Sequence, residues 1–227
     1  MPYTVEILQV QQVTHDVKRF VVTKPDGYSF TSGQAADVSI RQPGWEDNLH
    51  AFTFTSLNED EVLEFVIKGY LVADYPKHQG VTEKIHSLVV GDELLISDPW
   101  GTITYKGKGV FIAGGAGITP FISIFRDLHK KGGLSGNTLV FSNKTEADVI
   151  LEQELIAMFD PEHLIFTLTR QRLAGYEYGR VDGKFLQDRG IDFSQYFYLC
   201  GPRPMVNDLR AVLSEFGANV ENMVFEE

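Results

Sequence analysis

A chain of 227 residues, 43% of them apolar, can bury one large core or two small ones, and its composition excludes wholesale disorder. Its net charge of -11 argues against nucleic acid as a partner, because phosphate binding needs a basic face that overcomes that field. The single cysteine, Cys200, excludes an intramolecular disulfide and an iron–sulfur cluster held by four thiolates of this chain alone. With no signal-peptide-like start and no apolar run approaching the roughly 20 residues of a membrane span, the expectation is a soluble cytoplasmic protein.

In chain order, the first half reads as short strands. Tyr3 to Gln9 and Lys18 to Thr23 alternate in strand fashion, and Pro25 to Gly27 breaks the pattern. A turn at Gly33 leads into a strand ending at Ile40. Further strands are expected at His50 to Thr55, Leu63 to Lys68, Glu93 to Ser97 and Thr102 to Tyr105, with one helix from Thr82 to Ser87. Such a series suggests a small antiparallel barrel, with a β-sandwich as the alternative.

Two stretches of this half can carry chemistry. In His50-Ala-Phe-Thr-Phe-Thr-Ser56, Thr53 and Thr55 share a side opposite Phe52 and Phe54. Hydroxyls in such a row suit a flat heteroaromatic ligand, and equally suit a strand with one wet face. In Gly80-Val-Thr-Glu-Lys-Ile-His86, Gly80 supplies a turn and Thr82 can cap a helix whose free N–H groups would face an anion.

At the centre lies Val110-Phe-Ile-Ala-Gly-Gly-Ala-Gly-Ile-Thr-Pro120, a strand, a glycine turn and a helix. A loop of this kind brings backbone N–H groups close to a phosphate while the helix turns its positive end toward the same anion. It is not the Gly-x-Gly-x-x-Gly fingerprint, and alone it is equally compatible with a strand-to-helix turn that holds nothing. Beyond it, strands at Val110 to Ala113, Thr138 to Ser142, Leu164 to Leu168 and Tyr196 to Cys200 alternate with helices at Phe121 to Lys131, Glu152 to Phe159, Gly183 to Gln187 and Pro204 to Phe216. That alternation is the grammar of an open parallel sheet. The boundary is expected near Lys106 to Lys108, giving domains over residues 1–105 and 109–227. Cys200-Gly-Pro-Arg-Pro-Met205 follows the fourth strand, so it falls at the same carboxyl edge of the sheet as Gly114, where ligands of such sheets bind.

Together and in this order, these stretches resemble the ferredoxin–NADP(+) reductase superfamily, particularly its short bacterial flavodoxin or ferredoxin reductase-like members. The family's flavin strand, Arg-x-Tyr-Ser/Thr-x-x-Ser, is similar to His50 to Ser56, and its phosphate turn to Gly80-Val-Thr82. Its nucleotide loop, Gly-Gly-x-Gly-Ile-Thr-Pro, is present as Gly114 to Pro120, and its Cys-Gly-Pro-x-x-Met element as Cys200 to Met205. Phe30-Thr-Ser-Gly33-Gln34 is similar to the family's Phe-x-x-Gly-Gln.

The resemblance implies a flavin-binding barrel followed by an NAD(P)H-binding α/β domain, with hydride passing from nicotinamide C4 to flavin N5. It places His50, Ala51, Phe52, Thr53 and Ile67 around the flavin, with Thr53 near N5, and Gly80, Val81 and Thr82 at the pyrophosphate. It places Gly115, Gly117, Ile118, Thr119, Pro120, Gly201, Pro202 and Met205 around the nicotinamide nucleotide. Cys200 would stand beside the nicotinamide and Glu226 would be the carboxylate associated with hydride transfer. Thr169 and Arg170, with Lys144 as helper, would grip a 2′-phosphate, which leans toward NADPH with NADH as the alternative. FAD is favoured on the same ground, FMN being the alternative, since no residue is identified that must stack an adenine.

Two departures carry expectations. His50 stands where the family has arginine, so flavin retention should be weaker and should strengthen as pH falls, since an unperturbed histidine titrates near ~6.5. The family's terminal aromatic is missing after Phe225-Glu226-Glu227, which implies appreciable oxygen reactivity of the reduced flavin. The expected acceptor is a separate carrier, flavodoxin, ferredoxin or another redox subunit, met by a patch from Lys77, Lys84, Lys106 and Lys108. The alternative is an electron-transfer or regulatory subunit with little turnover of its own, or a nucleotide-binding protein without flavin.

Overall fold

In a computed structural model, which describes residues 2–73, 80–101 and 103–225, the chain divides into two compact units, Met1–Gly101 and Thr102–Glu227. The expected strand at Thr102 to Tyr105 does not form over residues 103–105. Tyr105 instead stacks against Tyr198 at a centroid distance of 6.0 Å, and the Tyr198 hydroxyl accepts the N–H groups of Lys106 (2.8 Å) and Gly107 (3.0 Å). Side-chain latching replaces ladder pairing there. Alternation over so few residues cannot tell the two apart.

The first unit is one antiparallel sheet built from β1 (Tyr3–Thr14), β2 (Val17–Thr23), β3 (Ala35–Ile40), β4 (His50–Thr53), β5 (Val62–Lys68) and β6 (Glu93–Ile96). Its order is β4-β3-β6-β1-β2-β5. A bridge between Phe54 and Phe65, with Thr55 N–H donating to Glu64 O at 2.9 Å, brings the two end strands together, so the sheet curls like a barrel. Register shifts in the β1–β2 pair supply curvature. β1 runs past the expected Gln9 because its second half keeps pairing with β2 although its side chains are mostly exposed. Inward-facing Val5, Ile7, Phe20, Val22, Phe54 and Phe65 form the core. The helix α1 (Val81–His86) closes it by burying Val81 and Ile85 completely.

The second unit is a wholly parallel sheet of β7 (Gly109–Gly114), β8 (Thr138–Asn143), β9 (Leu164–Leu168), β10 (Glu177–Tyr178), β11 (Tyr196–Cys200) and β12 (Met223–Phe225), in the order β10-β9-β8-β7-β11-β12. Every residue of β7 is buried, as expected for a central strand covered on both faces. Val110, Ile112, Val140, Phe197 and Leu199 pack with α4 (Gly183–Gln187) and α5 (Arg203–Glu215). On the other face, Phe111 packs edge-on against Phe121 and Phe125 of α2 (Thr119–Lys130). The remaining helix, α3 (Glu152–Met158), follows β8. Strand order reverses at β7, whose neighbours are β8 and β11. The crevice beyond the carboxyl ends of β7 and β11 is therefore the topological switch point, the place where open parallel sheets bind ligands.

Candidate functional site

In the first unit, β4 lies at the end of the sheet and pairs with β3, with Thr53 opposite Ala35 and His50 opposite Val38. His50 and Thr53 are half-buried, Ala51 is exposed, and Phe52 packs against the core. Thr55 is committed elsewhere: it is fully buried and its hydroxyl donates to Glu64 Oε1 at 2.7 Å. Ile67 turns its side chain into the core while its carbonyl pairs with His86 Nε2 at 2.8 Å.

The Gly80 turn departs from the simple capping pattern. Gly80 itself is the N-cap, in the left-handed region at φ 77, with no side-chain cap. Thr82 sits inside the helix and accepts the Tyr70 N–H at 3.0 Å, while Glu83 accepts the Val72 N–H at 2.8 Å. A threonine two residues past a glycine looks the same in sequence whether its hydroxyl caps its own helix or anchors a neighbouring segment.

In the second unit, the glycines after β7 are placed by close approach. The turn Gly115–Ile118 leads into α2, with Pro120 in its first turn as Pro prefers and the Thr119 hydroxyl donating to Ala116 O at 3.0 Å. A Cβ on Gly117 would meet Cys200 O at 2.4 Å, and one on Gly114 would meet Met205 Sδ at 2.7 Å. A Cβ on Gly201, at φ 156, would meet Met205 Cε at 2.9 Å and the Gly114 backbone nitrogen at 3.1 Å. Gly115, at φ 54, has nothing within 4 Å of its Cβ position. The turn is thus locked onto Cys200 to Met205 on one side and open on the other, which fits a phosphate group lying along the backbone.

Beside it, the ends of β8 and β9 and the start of α5 enclose a pocket of about 260 Å³. Ser142, Thr169, Arg180 and Asp208 give it polar groups; Val181, Pro202, Pro204 and Met205 give it apolar walls. Thr169, Pro202 and Met205, which the sequence singles out, line this pocket. Arg170 is exposed and tied by its N–H to Lys144 O, and it is not among the pocket's lining residues. The cation there is Arg180, which sequence reasoning missed because it follows a two-residue strand, β10, too short to show a period. Asn143, one residue beyond Ser142 and on the α2 face, has both amide atoms enclosed without a hydrogen-bond partner. Glu226 and Lys77 lie outside the described residues.

Residues 2–104 match the family model described as an FAD-binding domain, and residues 111–211 match that of the oxidoreductase NAD-binding domain. NADH-cytochrome b5 reductase 1 of Homo sapiens is 30% identical, over 90% of this chain and 78% of that protein. The chain belongs to the ferredoxin–NADP(+) reductase superfamily. NADH-cytochrome b5 reductase 2 of Xenopus laevis is a further member of that superfamily, 28% identical over 90% of this chain and 80% of its own length. The fold agrees: the structure of a ferredoxin NADP+ reductase from Neisseria gonorrhoeae with bound FAD and NADP superposes with a TM-score of 0.84 at 20% identity, covering 99% of this chain and 98% of that one. As a member of the superfamily, the protein is an NAD(P)H-dependent flavoprotein oxidoreductase that binds FAD and a nicotinamide nucleotide. Among the described residues no helix is long and apolar enough to cross a membrane.

Proposed function

We propose that the protein takes a hydride from NAD(P)H and passes single electrons to a separate protein carrier, a flavodoxin, a ferredoxin or a b5-like haem protein. The observation that carries the nucleotide half is the glycine turn locked against Cys200 to Met205 at the β7–β11 switch point, with one side left open at Gly115. In this reading the turn holds the nucleotide's phosphates, and Cys200 stands beside the nicotinamide and sets its distance. Thr169, Arg180 and Ser142 receive the adenosine end, where the guanidinium favours a 2′-phosphate and Asp208 opposes it.

For the flavin half, residues 1–105 form the binding domain, in which Thr53 meets the ring, Phe52 packs on it, and His50 with Gly80 to Thr82 meets the phosphates. Glu226, as the resemblance implies, is the carboxylate associated with hydride transfer. A flavin held by these residues would supply the redox chemistry, linking two-electron to one-electron transfer.

A second reading, an electron-transfer subunit with little turnover alone, is favoured by His50 in place of the usual arginine. Anaerobic stopped-flow mixing of the flavin-loaded protein with NADH or NADPH separates them. Rapid bleaching of the flavin band supports the enzyme; a band that stays unbleached with either nucleotide refutes it.

A further inference from the structure

The long strand β1 has two halves with different neighbours. Tyr3 to Glu6 pair with β6, and Ile7 bonds to the turn before it, its N–H donating to Asp92 O at 2.8 Å and its carbonyl accepting the Gly91 N–H at 2.9 Å. From Gln9 onward, among the described residues, the strand pairs with β2 alone. Gln9 to Gln12 stay in unbroken register with Val21 to Lys18. The register shifts, which twist an edge away from partners, bracket this run rather than interrupt it. Those four residues form a strand edge whose outward N–H and C=O groups can pair with another strand.

The chemistry of that edge stands apart from the rest of the chain. Exposed edges are ordinarily blunted by lysine, proline or inward charge. Here Ile7 to Thr14 holds no charged residue and no proline, in a protein of net charge -11. The cations across the pair on β2 are tied to their own fold: Arg19, opposite Gln11, holds Glu64, and Lys18, opposite Gln12, donates to His86 O at 2.9 Å. Beside the Ile7–Gly91 bond stand Leu8 and Val90, with Val89 next to it, 43%, 60% and 64% exposed. They give the edge an apolar rim.

We propose that this edge is a self-association surface, on which a second copy of the chain pairs antiparallel along Gln9 to Gln12 about a two-fold axis. Two chains of like charge repel, so they meet most readily where neither presents a charge, and this run is such a place. Glutamines on neighbouring strands hydrogen-bond one another, and a strand paired with its own copy satisfies both edges at once. A seam this short makes the dimer concentration-dependent rather than obligate.

The test is sedimentation velocity of the flavin-loaded full chain over a concentration series, with amide hydrogen exchange measured at its two ends. The expected result is a rise from the 25.5 kDa monomer to twice that mass, with slower exchange over residues 8–13 at high concentration. Raising ionic strength from about 0.01 M to about 0.15 M shortens the Debye length from about 30 to about 8 Å. Association should then strengthen, because the repulsion between the chains is screened while the uncharged seam is not. Gln11→Lys, at an exposed side chain, is expected to weaken association on the order of tenfold or more by setting like charges together, with Tm and flavin reduction unchanged. Val89→Asp at the rim should act in the same direction. A wild type that stays at 25.5 kDa at every concentration overturns the proposal and leaves the edge to a strand of another protein. A dimer that neither substitution weakens, or whose residues 8–13 exchange at the monomer's rate, overturns it too, since its contact lies elsewhere.

Discussion

Gly117 and the carbonyl oxygen of Cys200 approach so closely that a Cβ on the glycine would lie 2.4 Å from that oxygen. The two loops of the switch point can therefore meet only while residue 117 lacks a side chain. Gly117→Ala is expected to push the Cys200 loop away, costing about 2 kcal/mol of stability as overpacking does, with slower flavin reduction. Gly115→Ala makes the useful contrast. It meets no atom within 4 Å but keeps a left-handed φ of 54, so its stability cost is backbone strain of about 1 kcal/mol. Its effect should fall on nucleotide KM, because the added methyl points into the open side. Thermal melts and single-turnover kinetics of both variants check this; a Gly117→Ala protein with wild-type Tm and reduction rate contradicts it.

Arg180 and Asp208 line the same pocket with opposite charges, and their balance should set the choice between NADPH and NADH. Arg180→Gln is expected to raise KM for NADPH on the order of tenfold, the scale of a charge-assisted hydrogen bond, and to change NADH much less. Asp208→Asn should act in the opposite sense, lowering KM for NADPH by removing a like charge. Steady-state kinetics with both nucleotides decide it. Equal changes for both would remove these side chains from the 2′-position.

Much of this arrangement is visible in the sequence wherever a physical pattern repeats. The all-apolar run at Val110 to Ala113 announces a doubly covered strand, and Gly114 to Pro120 announces the turn, because close approach leaves glycine as the residue that fits. Trp45 and Arg180 escape such reading. Trp45 sits in a polar turn and Arg180 follows a two-residue strand, and each is placed by groups outside its own segment: the Gly80 turn beside the indole, the ends of β8 and β9 and the start of α5 around the guanidinium. β10 and β12 escape for another reason, since two or three residues carry no period. Thr82 shows the limit of local capping rules, its hydroxyl being claimed by Tyr70, twelve residues upstream.

In β5, Glu64 is 3% exposed and its carboxylate is held by the Thr55 hydroxyl and by the Arg19 guanidinium. Arg19→Met takes away this countercharge while keeping most of the stem. Its expected cost is about 2–3 kcal/mol, below the usual range for a broken buried pair because the Arg19 side chain keeps 35% exposure. Glu64→Gln, which leaves no buried charge and can still accept from Thr55, should cost less. Chemical denaturation of the two variants gives the order; Glu64→Gln as the more harmful change would contradict it.

His86 closes α1 against β5, and burial holds its imidazole below the ordinary value of 6.5. The carbonyl of Ile67 at Nε2 and the Asp16 carboxylate work against that shift, while Lys18, whose ammonium donates to His86 O, adds to it. A histidine lowered in the fold gives stability that is fully present above the unfolded value and lost as pH falls through the folded one. Stability should therefore decline as pH is lowered below about 6.5. Asp16 adds a separate loss at lower pH. Its burial alone would raise its carboxyl, but Lys68 and Thr14 hold it below 3.8. His86→Gln, which keeps a donor for the Ile67 carbonyl without a titrating group, is expected to flatten the upper step and leave the lower one in place. Denaturant midpoints at half-unit pH intervals would show it, and an unchanged slope just below about pH 6.5 in His86→Gln would assign that step to another group.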